Sequence, residues 1–449
     1  MATGWNRDRV LQLAPDAASA KAGQELANAR KWSSIGGDEQ AIWGLCQGSG
    51  KNPYQTIIDL GEPAFKCSCP SRKFPCKHGL GLLLQFAAAP EGFTRAERPA
   101  WVAEWMTTRQ ERAQKKAEAA AQPPKPVDAE AQAERRAKRH DRVAAGLASL
   151  RTWIDDIVRD GIAAVQPRGY SFFDEPARRM IDAQAPGAAR MIADLGVTMS
   201  SGGDWHEPFL RQLSSLHLLV EAHAKIDQLP SETREDVLAR LGIAVPQEEV
   251  LATPPLQDTW QVTALEVDVD ERLRVQKTWL FGVNSRRIAL ILHFAHDTAA
   301  FEANFAIGSQ FDGEICRFPG TGIRAAVKSR GSSTAIEKLA GFDDLDAACD
   351  AFSQMLGRQP WLEPVALPLR NVVPTLSKNS WSVIDATGHA LPATMPPGIA
   401  WQATAISGGH PIGIVATFDG QTLRPLTLFT EREVIPTTHD RAMTPFSPA

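Results

Sequence analysis

Residues 67–78 read Cys67-Ser68-Cys69-Pro70-Ser71-Arg72-Lys73-Phe74-Pro75-Cys76-Lys77-His78. The spacing is Cys-x-Cys, six residues, then Cys-x-His. Three thiolates and an imidazole form a tetrahedral structural zinc set. Soft sulfur suits Zn²⁺, and a fourth protein ligand leaves no open position for a reactive water. Cys67, Cys69, Cys76 and His78 are therefore the expected ligands of a non-catalytic ion. Pro70 and Pro75 restrict the loop beside each ligand pair, which lowers the entropy lost when it closes. His78 stands where a helix should begin, so one ring nitrogen can face the metal while the other seeks an acceptor. The chain has six cysteines in 449 residues, too few for a disulfide scaffold, and no Cys-x-x-Cys redox pair. Cys46 is a rival ligand by type, but a lone cysteine in a strand is more often core. Cys316 and Cys349 read as core as well.

Working outward, residues 41–46 read as a strand, residues 48–53 as a turn, and residues 54–60 as a second strand with Tyr54, Ile57 and Ile58 as its bulky positions. A turn at 61–63 leads into the Cys–His segment. Residues 77–86 then carry Leu80, Leu83, Leu84 and Phe86 at helical spacing. This order resembles the SWIM zinc finger. The residues that carry the likeness are Trp43-Gly44, Cys46, Gly48-Ser49-Gly50 and Pro53-Tyr54, followed by the stretch from Cys69 to His78. The likeness spans about residues 40–86. It implies a compact ββα zinc module that binds DNA or protein partners. In bacterial proteins of this group it also implies a link with MoxR-type AAA+ ATPases and von Willebrand-type proteins.

The rest of the chain divides by texture. Residues 88–108 bridge out of the finger with Phe93, Trp101, Trp105 and Met106. Residues 109–142 hold ten Lys/Arg against six Asp/Glu and are interrupted by Pro123, Pro124 and Pro126. They read as a charged, Pro-broken linker: a helix end, a break, and the start of another helix. Val143, Leu147, Leu150, Ile154 and Ile157 then form one apolar helical stripe, and further helices are expected at 208–226 and 231–241. From Thr259 the period becomes two, with strands expected at 279–283, 287–294, 381–386, 399–406 and 414–418, and a helix from Leu345 that stops at Gly357. The expected organisation is a multidomain α+β protein. Residues 1–108 form the N-terminal finger domain, 109–142 the linker, 143–250 a helical domain and 255–435 a β-rich α+β domain.

Hydrophobic residues make up 43% of the chain and charged residues 22%, with a net charge of −4. This describes a globular protein and excludes a uniformly basic nucleic-acid binder. No apolar run is long enough to span a bilayer and no secretory signal is visible, so a cytoplasmic protein with no membrane partner is expected. The average hides a local patch. Lys66, Arg72, Lys73 and Lys77 surround the ligands with no acidic residue between 66 and 78. Phe74 could stack on a base. Arg72, Lys73, Phe74 and Lys77 are therefore candidate contacts to DNA or to a protein partner.

Enzyme signatures fail. Residues 44–51 lack the Gly-Lys-Ser/Thr ending of a phosphate loop, and neither Gly-x-Ser-x-Gly nor His-Glu-x-x-His occurs. His293 and His296, three apart at a strand end, point to different faces. His206, His217 and His223 read as surface or helix-contact residues. Asp343, Asp344 and Asp346 crowd a helix N-terminus, where they favour the dipole. The tryptophans of the last domain read as core, a subset of them as a weaker candidate binding face. The expected function is zinc-dependent binding without catalysis. The alternatives are a DNA-binding regulator, or an enzyme in residues 255–435 whose pocket the sequence does not advertise.

Overall fold

The structure is a computed structural model. It describes residues 5–442 except 6, 12, 14–16, 49–51, 61–63, 72–74, 94, 122–128, 244, 271–272, 297–300, 302, 304, 378–379, 432 and 438–440. Two short helices, α1 (Arg7–Leu11) and α2 (Ala17–Leu26), precede four strands: β1 (Trp32–Gly37), β2 (Ala41–Cys46), β3 (Tyr54–Asp59) and β4 (Ala64–Cys67). The strands pair antiparallel in sequence order. Helix α3 (Lys77–Ala88) packs on one face through Leu80, Leu82 and Leu83, against Ile42, Ile58 and Phe65. The finger is therefore larger than a ββα unit. Strand β1 escapes a period-two reading because its pairing with β2 shifts register between Ser33 and Gly36, and Ser34 takes a left-handed φ of 50°. Such a bulge breaks the alternation that marks a strand. Helix α4 (Ala100–Ala121) covers the opposite face, with Val102 and Met106 against Trp43 and Ile57. Its Arg109 meets Asp59 at 2.9 Å.

Helix α5 (Ala129–Asp160) opens the helical section, and the three prolines of the linker lie outside the described residues. The stripe from Val143 to Ile157 is buried against α6 (Asp174–Asp182), α7 (Pro186–Ser200), α8 (His206–Ala224) and α9 (Ser231–Arg240). One core side chain comes from far along the chain. Trp361 is buried among these helices, and its Nε1 donates to the Ser215 carbonyl at 3.0 Å. Beside it, the Asp236 carboxylate accepts from the Thr321 hydroxyl at 2.6 Å and from its backbone N–H at 3.0 Å. Arg240 pairs with Glu363 at 2.9 Å. The bundle and the β-rich section are thus packed together.

After the short α10 (Gln247–Leu251), five strands form a sheet that closes on itself. They are β5 (Leu256–Asp270), β6 (Leu273–Gly282), β7 (Ile288–His296), β8 (Ser309–Arg317) and β9 (Arg324–Arg330). The long β5 pairs with β8 through its first half and with β6 through its second. The order β5-β6-β7-β9-β8 therefore returns to β5, and only β7 and β9 run parallel. Trp260, Val262, Leu280, Ile291, Phe305 and Phe311 fill the barrel. Asp258 accepts from the N–H groups of Asn284 and Ser285, which pins the β6–β7 turn.

Two short strands, β10 (Thr334–Ala335) and β17 (Arg441–Ala442), extend the barrel sheet. Next to it, α11 (Leu345–Arg358) and α12 (Pro397–Ser407) pack on a second, antiparallel sheet of order β13-β12-β11-β14-β15-β16. Its strands are β11 (Val365–Ser377), β12 (Ser380–Asp385), β13 (Ala390–Pro392), β14 (Ile412–Phe418), β15 (Leu423–Phe429) and β16 (Val434–Pro436). The strand expected at 399–406 is instead α12. Pro397 presets its first turn, Ile399, Ala400 and Ala403 are buried, and Gly408 ends it in a left-handed cap with φ 55°. Likewise α11 runs through Gly357 to Arg358. Among the described residues no helix is long and apolar enough to cross a membrane.

Candidate metal centre

The four expected ligands converge. Cys67 ends β4, Cys69 follows two residues on, Cys76 is the N-cap residue of α3, and His78 lies in its first turn. The Sγ atoms of the three cysteines and a ring nitrogen of His78 all lie within 4.8 Å of one another. His78 Nδ1 faces the sulfurs, 3.7 Å from Cys67 Sγ and 3.9 Å from Cys76 Sγ. Adjacent sulfur and nitrogen ligands of one tetrahedral Zn²⁺ stand roughly 3.6 Å apart. The strand holds its half of the site in place: Gln55 N–H donates to Ser68 Oγ at 2.9 Å, and Ser68 N–H donates to Gln55 O at 3.0 Å. The helix holds the other half through Leu80 N–H to Cys76 O at 3.0 Å. Cys76 and His78 are buried, while Cys67 and Cys69 are half-buried on the open side.

The crowded donors perturb one another. Hydrogen bonds from Cys67 and then Cys76 hold the Cys69 thiol well below its ordinary range, against the effect of burial. Cys76 moves the opposite way, raised by its contacts with Cys67 and Cys69 and by burial. Burial would lower His78, but hydrogen bonds to Cys67 and Cys69 outweigh it and raise the ring to about 9. Thiols that share protons so closely are a set that a soft cation can deprotonate together.

Two neighbours of the cluster were not among the expected site residues. The Tyr54 ring lies 4.9 Å from the His78 ring, and Thr56 Oγ1 stands 3.3 Å from Cys67 Sγ. Both sit on β3 two residues apart, so strand alternation was the available signal. Gly48 makes room for Tyr54, since a Cβ there would meet the ring at 2.3 Å. Cys46 is buried in the core with Trp32 and Leu82, its thiol raised by burial, outside the cluster. Cys316 is also buried, and Cys349 is half-buried against the second sheet's core. Of the candidate contact residues, Lys77 is exposed on the first turn of α3, whereas Arg72, Lys73 and Phe74 lie outside the described residues.

Residues 60–86 match the SWIM zinc finger family. The finger is of the SWIM type. Residues 138–241 match a second family, the SWIM-associated four-helix bundle domain, over α6 to α9 and most of α5. No curated protein and no solved structure matches the chain.

The aspartates at the start of α11 have structural partners. Asp344 caps α11 by accepting from Ala347 N–H at 2.7 Å, Asp343 pairs with Arg370, and Asp346 pairs with His389 at 3.0 Å. His206 pairs with Asp204 at the surface, whereas His223 is buried in the bundle with its ring 5.5 Å from that of His140. Trp260 and Trp279 are buried. Trp401 is exposed and meets Trp381 edge-on at 5.4 Å.

Proposed function

We propose that this protein is a non-catalytic binding protein whose SWIM finger is locked by one structural Zn²⁺ on Cys67, Cys69, Cys76 and His78. The convergence of the four donor atoms within 4.8 Å carries this reading. With every position of a tetrahedral ion taken by protein, the ion supplies folding energy to β4 and α3, and no reactive water. Thiols of this kind persist in a reducing compartment, which favours the cytoplasm. The finger's charge favours nucleic acid as its partner. Lys66 and Lys77 are exposed on either side of the ligands, and the intervening sequence adds Arg72 and Lys73 with no carboxylate. Contacts of that type make binding fall steeply with salt.

A protein partner is the second reading. The bundle exposes Val197 on α7 and Leu210 and Leu218 on α8, each between 44% and 55% accessible, which supports an apolar docking face. The resemblance to bacterial SWIM proteins suggests a MoxR-type AAA+ ATPase for that face.

The decisive experiment measures zinc per chain and duplex-DNA binding across a salt series, for the wild type and Cys69→Ser. The expected result is one zinc in the wild type, none in the variant, and loss of the salt-dependent binding with the metal. A variant that keeps a full equivalent of zinc would overturn the ligand set. A zinc-loaded wild type that ignores DNA at low salt would shift the reading to the protein partner.

A further inference from the structure

The five-stranded barrel carries a cleft that the finger does not explain. Between β7 and β9 the described ladder covers Leu290 with Arg324 and Ile291 with Ala325. Beyond those pairs the strands part around a cavity of about 270 Å³ that runs beside β9. Its lining is cationic and aromatic: Arg324, Lys328 and Arg330 from β9, His293 from β7, and Phe305 and Phe318 from the flanking connections. No Asp or Glu is among the described lining residues. Two of the cations sit over rings. Arg324 Cζ is 4.1 Å from the centre of Phe318, and Arg330 Cζ is 5.0 Å from that of Phe305. Lys328 is exposed at the register shift where β9 bulges against β8.

We infer that this cleft binds single-stranded nucleic acid. Three cations along one strand, with no carboxylate among the described lining residues, suit a run of phosphates. Guanidinium groups held over phenyl rings, and the rings themselves, give unpaired bases cation–π and stacking partners. A duplex hides its base faces and is too wide for a slot between two strands. Burial lowers the basicity of Arg324, so an anionic occupant gains from relieving that penalty. The topology agrees. A closed barrel of order β5-β6-β7-β9-β8, with its one parallel contact between the third and fifth strands, has the arrangement of oligonucleotide- and oligosaccharide-binding barrels. Those bind through their second and third strands and the loop between the fourth and fifth, and of these β7 and the β8–β9 loop with Phe318 line the cleft here. The cationic lining selects the oligonucleotide from that pair. This inference stands apart from the finger, since none of its residues lies in the N-terminal domain.

The test uses the full zinc-loaded chain and fluorescence anisotropy with a short labelled oligothymidylate. The variants are the double Arg324→Gln/Arg330→Gln, the single exposed Lys328→Gln, and Lys225→Gln on the bundle as a charge control. Cys69→Ser separates the barrel from the finger. The expected result is oligonucleotide binding that survives Cys69→Ser and Lys225→Gln. It should weaken by roughly tenfold or more in the double variant and by a smaller factor in Lys328→Gln. Thermal unfolding of each variant checks folding, and Lys328→Gln carries the test if the double variant is unfolded. Unchanged affinity in a folded barrel variant would overturn the proposal, as would loss of binding in Cys69→Ser with a folded barrel. Equal binding of polyglutamate would replace it with an acidic-peptide site. Full displacement by inorganic phosphate at equal concentration would replace it with a free-phosphate site.

Discussion

Asp385 shows how a single side chain fixes a junction. Its carboxylate accepts from the N–H groups of Leu345, Thr387 and His389 and from the Thr387 hydroxyl at 2.6 Å, tying the β12–β13 turn to the start of α11. Burial pushes its pKa up, but these donors prevail and hold it at about 2, below the ordinary 3.8. A folded pKa below the unfolded one gives stability that is complete above 3.8 and drains away as pH falls toward 2. Acid titration of unfolding should therefore show Asp385→Asn losing less stability than the wild type across that interval, from a lower starting point at neutral pH. At this scale the metal ligands were legible in the sequence, because ligand chemistry depends on residue type and spacing alone. Tyr54 read only as a bulky strand position and part of the family likeness, and Thr56 was not singled out, because their part at the metal depends on which face of β3 meets the site. Trp361 read as core of its own domain, yet it fills another core.

Helices α2 and α3 cross where a glycine of each faces a leucine of the other. A Cβ on Gly81 would meet Leu26 Cβ at 2.8 Å, and one on Gly23 would meet Leu80 Cβ at 2.8 Å. Gly81→Ala should push the helices apart and cost the N-terminal domain about 1–3 kcal/mol. Because α3 carries Cys76 and His78, faster zinc loss to a chelator should accompany the drop in melting temperature. Most elements were legible where a pattern was long and regular: the α5 stripe, β2 and the finger helix. Those that escaped had a physical reason. A bulge broke the alternation of β1. The apolar run in α12 was short enough to fit either period, and the proline before it and the glycine after it decided for helix. Barrel closure was invisible because it joins strands about fifty residues apart, as in Trp260 opposite Phe311, and pairing at that distance leaves no local periodicity.

At the scale of the whole molecule, Trp361 ties the β-rich section to the bundle by filling the bundle's core. Truncating it removes a large buried side chain and its hydrogen bond to Ser215 together. Trp361→Ala should cost about 3–5 kcal/mol, and hydrogen exchange should show lost protection in α8 while the SWIM finger is untouched. Survival of α8 protection in that variant would show that the bundle closes without it. The same side chain also sets a timetable for synthesis. The bundle helices end at Arg240, so all of them emerge from the ribosome roughly 120 residues before the tryptophan that completes their core, a delay of about 6–24 s at ordinary translation rates. For that interval the nascent bundle carries an unfilled apolar socket, the moment in the protein's life when it has most to gain from a chaperone.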